Sequence, residues 1–100
     1  IYPNKKVTSD AYAASKAAII QLTKYYAVHL SKYKIRVNCI SPGGILDNQD
    51  KRFLKKYKAE CGSKCMLDSE DINSTVEFLL SDGSNYITGQ NIIVDDGWSL

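Results

Sequence analysis

Ile35-Arg36-Val37-Asn38-Cys39-Ile40, followed at once by Ser41-Pro42-Gly43-Gly44, is the stretch on which the reading of the fold turns. The run is short and rich in β-branched residues, and Pro-Gly-Gly punctuates its end, so it reads as a strand meeting a turn. Upstream, residues 9 to about 31 contain neither Gly nor Pro and are rich in Ala, Leu, Ile, Lys and Gln. That composition predicts one helix roughly 30 Å long at about 1.5 Å per residue. Ser9 suits its N-cap, and Asp10 places a negative charge in the first turn, where the helix dipole favours it. Downstream, residues 49–61 return to helical spacing, with Phe53, Leu54 and Tyr57 on one side. Asp68 or Ser69 caps a further helix, along which Ile72, Val76, Leu79 and Leu80 recur at helical intervals until Ser81-Asp82-Gly83 ends it. After the Thr88-Gly89 turn, Asn91 to Val94 form a second apolar strand, leading into Asp95-Asp96-Gly97. Residues 1–8 read as a polar loop.

The order helix, strand, helix, helix, strand points to an α/β architecture with a parallel sheet. Parallel sheets are normally covered on both faces and extend over several strands, whereas two strands alone leave long edges unpaired. The long helix is apolar on most of its circumference, through Ala11, Ala13, Ala14, Ala17, Ala18, Ile19, Ile20 and Leu22, and so expects cover on most sides. Residues 1–100 are therefore expected to form the C-terminal portion of one domain, with the rest lying before Ile1.

Composition agrees with an ordinary globular chain. Of 100 residues, 24% are charged and 44% hydrophobic, which excludes collagen-like, disordered and low-complexity classes. A net charge of +2 is too small to announce a nucleic-acid or membrane partner. No apolar run approaches the roughly 20 residues of a bilayer span, and the first residues lack the basic, apolar and small-residue pattern of a leader, so secretion is not expected. Cys39, Cys61 and Cys65 are odd in number, so reduced thiols in a cytoplasm are expected. With His29 the only histidine, a tetrahedral metal set is incomplete, and no metal site is expected.

Chemistry concentrates at Tyr12 and Lys16, in Tyr-Ala-Ala-Ser-Lys at the start of the long helix. Residues at i and i+4 project from one helix face. A phenol ordinarily titrates near about pH 10, so proton exchange at neutral pH calls for a neighbouring cation. A charge about 4 Å away contributes about 4 kcal/mol at an effective dielectric of about 20, which is sufficient. The spacing alone is weak: Tyr2 and Lys6 also match, but with Pro3 between them and no helix to align them.

Context makes the pair specific. Tyr-Ala-Ala-Ser-Lys-Ala-Ala (12–18), Ile-Arg-Val-Asn-Cys-Ile-Ser-Pro-Gly-Gly-Ile (35–45) and Ile-Thr-Gly-Gln-Asn-Ile-Ile-Val-Asp-Asp-Gly (87–97) together resemble the short-chain dehydrogenase/reductase family. The resemblance covers nearly the whole chain and matches the C-terminal part of the family's compact branch. It implies an α/β fold, the C-terminal half of a Rossmann-like doubly wound parallel sheet, with NAD or NADP as cofactor. Tyr12 would be the general acid/base on the substrate oxygen. Lys16 would favour its ionised form and hydrogen-bond the nicotinamide ribose. Pro42, Gly43, Gly44 and Ile45 would form the cofactor loop at the carboxyl end of the strand, with the Ile45 backbone gripping the carboxamide. Asp47 stands where the family often has Thr, so it is left out of the site. The family's phosphate loop, its NAD/NADP selector and its catalytic Asn and Ser are expected upstream of Ile1, and the segment alone is expected to be inactive. Residues 38–58 further resemble members associated with bacterial flagellin glycan and nonulosonate sugar pathways, which implies a sugar-like substrate. A small-molecule substrate, no nucleic acid or membrane partner, and a homodimer or homotetramer complete the implied picture.

Several features have simpler readings. His29 lies late in the long helix with nothing to orient it for proton transfer. Lys51, Arg52, Lys55, Lys56 and Lys58 read first as a solvated helix face, and second as steering for an acidic or phosphorylated substrate, since the helix corresponds to the family's substrate lid. Trp98 and the tyrosines read as packing residues, and Asp95-Asp96 as turn formers rather than a cation site. The alternative to the oxidoreductase is a non-catalytic remnant or assembly module of the same fold. The larger sugar epimerase/dehydratase branch shares Tyr-x-x-x-Lys but fits residues 36–45 and 89–97 poorly.

Overall fold

The computed structural model describes residues 9–100, so the polar-loop reading of residues 1–8 and the Tyr2–Lys6 match lie outside the described residues. Two compact units divide them. One runs from the start to Cys39 and includes Tyr86–Asn91; the other contains Ile40–Asn85 and Ile92–Leu100.

In the first unit, helix α1 spans Asp10–Leu30 and tightens into a 3-10 turn over Ser31–Tyr33. Ser9 caps it as the sequence predicts: its Oγ accepts from Tyr12 N–H at 3.1 Å, and its carbonyl accepts from Ala13 N–H at 3.0 Å. Lys34, in the left-handed region at φ 59, closes the 3-10 turn by donating to the Ser31 carbonyl. Thr23 and Ala27 are the buried residues of α1. Against them lies the turn at Gly89, where a Cβ would stand 3.3 Å from the Ala27 Cβ and where φ is +73. Glycine answers both demands there. Ile19, Leu22, Tyr25 and Tyr26 of α1 remain about half exposed.

Strands β1 (Cys39–Pro42) and β2 (Asn91–Val94) form a two-stranded sheet. Cys39 N–H donates to the Gln90 carbonyl and, further along, Gly43 N–H donates to that of Val94; both strands advance together, so the pairing is parallel. This is the α/β arrangement expected. β1 starts later than Ile35 because the preceding residues bind the turn before β2. Val37 N–H donates to Thr88 Oγ1, Asn38 Nδ2 donates to the Ile87 carbonyl, and Asn38 Oδ1 accepts from Gln90 N–H. At the left-handed Gly89 these side-chain bonds join one backbone bond, from Gly89 N–H to the Val37 carbonyl at 2.7 Å.

In the second unit, helix α2 spans Lys51–Lys58, shorter than the expected 49–61. Asp50 caps it, accepting from Phe53 N–H at 2.7 Å. Beyond Ala59 the chain turns back, and Cys61 and Cys65 are joined in a disulfide. This corrects the expectation that all three cysteines are reduced; Cys39 alone is free. The reversal after α2 brings the two Cα atoms to 5.2 Å, inside the range a disulfide spans. Tyr57, Cys65 and Met66 form the buried cluster, with Leu54, Cys61 and Trp98 packed on it. The expected helix from Asp68 begins as a 3-10 turn, Ser69–Ile72, before helix α3, Asn73–Leu80. Asp71 accepts from Asp68 N–H, and Lys64 bridges both carboxylates. Paired with these two carboxylates, Lys64 holds its proton well above the usual lysine range.

Asp96 clasps the disulfide loop. Its Oδ2 accepts from Ser63 N–H at 2.7 Å and Cys65 N–H at 2.9 Å, and its Oδ1 accepts from Ser63 Oγ at 2.8 Å. These bonds, Cys65 N–H foremost, hold its carboxyl at about 2. A carboxyl whose folded value is depressed stabilises the fold above its unfolded value of about 3.9 and loses that contribution as pH falls through the folded value. The amides of Ser63 and Cys65 are therefore expected to lose hydrogen-exchange protection between about pH 4 and pH 2. In Asp96→Asn that pH dependence disappears, and an unchanged profile would refute the clasp.

Candidate functional site

Tyr12 and Lys16 lie in the first unit, on one face of α1, as the i, i+4 spacing requires. Lys16 Nζ stands 5.4 Å from the centroid of the Tyr12 ring, within cation–π reach. Tyr12 is 55% exposed. The Ser9 cap bonds the Tyr12 amide directly, and Ser15 Oγ donates to the Tyr12 carbonyl at 2.8 Å. The motif thus sits on a helix start fixed by its own local bonds. Late in the same helix, His29 Nδ1 lies 3.1 Å from the Tyr25 carbonyl and its ring stacks on Tyr25 at 4.0 Å, which agrees with a packing role.

Pro42, Gly43, Gly44 and Ile45 lie in the second unit, where β1 ends and the loop begins. At Gly43 a Cβ would stand 2.8 Å from the Asp95 Cβ; at Gly44 it would meet Met66 Sδ at 2.6 Å and the Tyr57 ring at 2.9 Å. Both positions are closed to any side chain. The Gly44 carbonyl accepts from Leu67 N–H at 2.8 Å, and Leu46 N–H donates to the Leu67 carbonyl at 2.7 Å. In a trans peptide the N–H points opposite the C=O. With Gly44 C=O turned to Leu67, Ile45 N–H is turned to the other side of the loop. Gln49 staples the loop by donating to the Ile45 carbonyl at 2.9 Å and accepting from Asp47 N–H at 2.7 Å.

The sequence reading missed Tyr57, Gln49, Met66 and Leu67 as neighbours of this loop. Tyr57 was legible only as an apolar position on α2; the contact that matters is to Gly44. Asp95 is buried and accepts from Gly97 N–H and Ser99 N–H, both at 3.0 Å. Bonding from the Ser99 hydroxyl, then from these amides, holds its carboxyl below the usual range. With Asp96 clasping residues 63–65, both carboxylates are engaged by the chain itself, in line with the turn reading. Lys51, Arg52, Lys55, Lys56 and Lys58 are all exposed. Among the described residues no helix is long and apolar enough to cross a membrane, and no group of three metal-ligating side chains gathers.

A parallel strand pair, a tyrosine–lysine pair on a capped helix and a glycine loop leaving the carboxyl end of a strand define a segment of a Rossmann-like α/β protein. The family model described as enoyl-(acyl carrier protein) reductase matches residues 4–99. The post-translational flagellin modification protein A of Campylobacter coli is 50% identical over 99% of this chain and 39% of its own. The 7alpha-hydroxysteroid dehydrogenase of Bacteroides fragilis is 37% identical over 94% of this chain and 40% of its own. A short-chain dehydrogenase of Leptospira borgpetersenii, crystallised with bound NAD+, superposes with a TM-score of 0.88 at 39% identity, over 95% of this chain and 40% of its own. The chain belongs to the short-chain dehydrogenase/reductase family. It spans about two fifths of the length of these relatives.

The crowding at Gly44 has a measurable consequence. Gly44→Ala forces the loop away from Tyr57 and Met66, an overpacking expected to cost about 1–3 kcal/mol of stability. Denaturant unfolding of the full-length protein measures it, and a loss below about 0.5 kcal/mol would show that the loop has slack.

Proposed function

We propose that residues 1–100 are the C-terminal portion of a single short-chain dehydrogenase/reductase domain, and that the full-length protein is an NAD(P)-dependent oxidoreductase interconverting an alcohol and a ketone. The observation that carries this reading is the Tyr12–Lys16 pair, set on one face of a capped helix in a chain of this family. The nicotinamide, when bound, gives or takes the hydride. Tyr12 donates the proton to the ketone oxygen on reduction and removes it from the alcohol on oxidation. Lys16, on the same face, supplies a cation beside the phenol and bonds the ribose. Gly43 and Gly44, closed to side chains by Asp95, Tyr57 and Met66, let the loop pack tightly, and its backbone with that of Ile45 would meet the nicotinamide end of the cofactor. Pro42 ends β1 and starts that loop.

A sugar-like substrate is the finer reading, supported by the resemblance of residues 38–58 and by the identity with the flagellin modification protein. The exposed cations of α2 suit a substrate bearing carboxylate or phosphate. A homodimer or homotetramer is proposed for the whole protein.

In the full-length protein, Tyr12→Phe is expected to lower turnover at least about 100-fold with little change in NAD(H) affinity, because it removes only the proton donor. Lys16→Ala is expected to weaken both turnover and cofactor binding. Steady-state kinetics beside fluorescence titration with NADH and NADPH measure this, and normal turnover in Tyr12→Phe removes the proposed role.

A further inference from the structure

We propose that Tyr57 is a positioning residue for the cofactor loop, its hydroxyl fixing Gly44 by accepting a hydrogen bond from that residue's N–H. The inference rests on the oxidoreductase reading above and deepens it. The β1–β2 ladder ends at the bond from Gly43 N–H to the Val94 carbonyl, so the next amide needs a partner from elsewhere. Tyr57, on α2, provides it: Gly44 N–H lies 2.7 Å from the Tyr57 hydroxyl oxygen. The phenol cannot swing away easily. It is only 8% exposed, its ring stacks on Trp98 at 5.1 Å with an interplanar angle of 8°, and Cys65 and Met66 complete its packing.

The consequence for the loop is directional. Gly44 N–H points at Tyr57, so the Gly43 carbonyl of the same trans peptide points the opposite way. Gly44 C=O points at Leu67 N–H, so Ile45 N–H likewise points away from Leu67. Two successive peptide planes are thus set by two outside partners, one of them a side chain. A carboxamide carries an acceptor and a donor, and its backbone recognition depends on how these planes are turned. Phenylalanine would fill the same space at position 57; only the hydroxyl holds the first plane. Packing alone therefore explains the ring but not the oxygen, since a buried hydroxyl is costly unless it is bonded.

Tyr57→Phe in the full-length protein keeps the ring and deletes the bond. The expected result is a rise of about fivefold in the Kd of the tighter-binding of NADH and NADPH, with a lowered melting temperature and faster hydrogen exchange at the Gly44 amide. Phe53→Leu is the packing control: Phe53 lies beside the Tyr57 ring at 6.1 Å but outside the loop, so it is expected to leave Kd unchanged even where it lowers the melting temperature. An unchanged Kd in Tyr57→Phe, or an equal rise in Phe53→Leu, overturns the positioning role while the oxidoreductase reading stands. Binding of neither nucleotide by the wild-type protein overturns both.

Discussion

The loop leaving β1 has no room for a side chain, and much of the second unit is arranged around that closeness. Gly43 runs against Asp95 and Gly44 against Tyr57 and Met66. For the backbone to come so near, its polar groups need partners within the same small space, because burying them unpaired is costly. Val94, Tyr57 and Leu67 supply those partners, one from β2, one from α2 and one from the segment after the disulfide. Three stretches distant in sequence are thereby tied to one short loop.

The same unit spends its carboxylates on its own backbone. Asp50 caps α2, Asp71 binds the Asp68 amide, Asp95 closes the turn after β2, and Asp96 holds Ser63 and Cys65. Charge-assisted bonds to N–H groups are shorter and stronger than neutral ones, so short polar loops are ordered without a large apolar core. Beside these bonds, Tyr57, Cys65 and Met66 form the buried cluster. The cations of α2 have a different place. They lie exposed on the helix whose buried face carries Tyr57, so one helix presents charge outward and fixes the loop inward.

Helix α1 shows how little tertiary support the Tyr12–Lys16 pair needs for its alignment. The i, i+4 spacing places the two side chains together, and the Ser9 cap bonds the Tyr12 amide itself, so position and orientation both come from one local helix start. Membership of the short-chain dehydrogenase/reductase family gives this pair its chemical meaning. The chain spans about two fifths of its relatives' length.

Helices, caps, the parallel class and the tyrosine–lysine pair were legible in the residues because each depends on neighbours a few positions away. Ser9 before an Ala-rich run, Pro-Gly-Gly after a β-branched run and Tyr-x-x-x-Lys are all local patterns with local physics. Other features carried no such signal. Asn38 binding the Ile87 carbonyl delays the start of β1, Tyr57 reaches Gly44, Asp96 reaches back to Ser63 and Cys65, and Cys61 bonds Cys65 after the chain reverses. The odd cysteine count favoured reduced thiols because counting says nothing about where the chain turns. Apart from the disulfide, whose cysteines are four residues apart, these contacts join residues distant along the chain and leave no periodic trace in it. They exist only once folding has brought the groups within hydrogen-bonding distance, and it is these contacts that set the loop after β1.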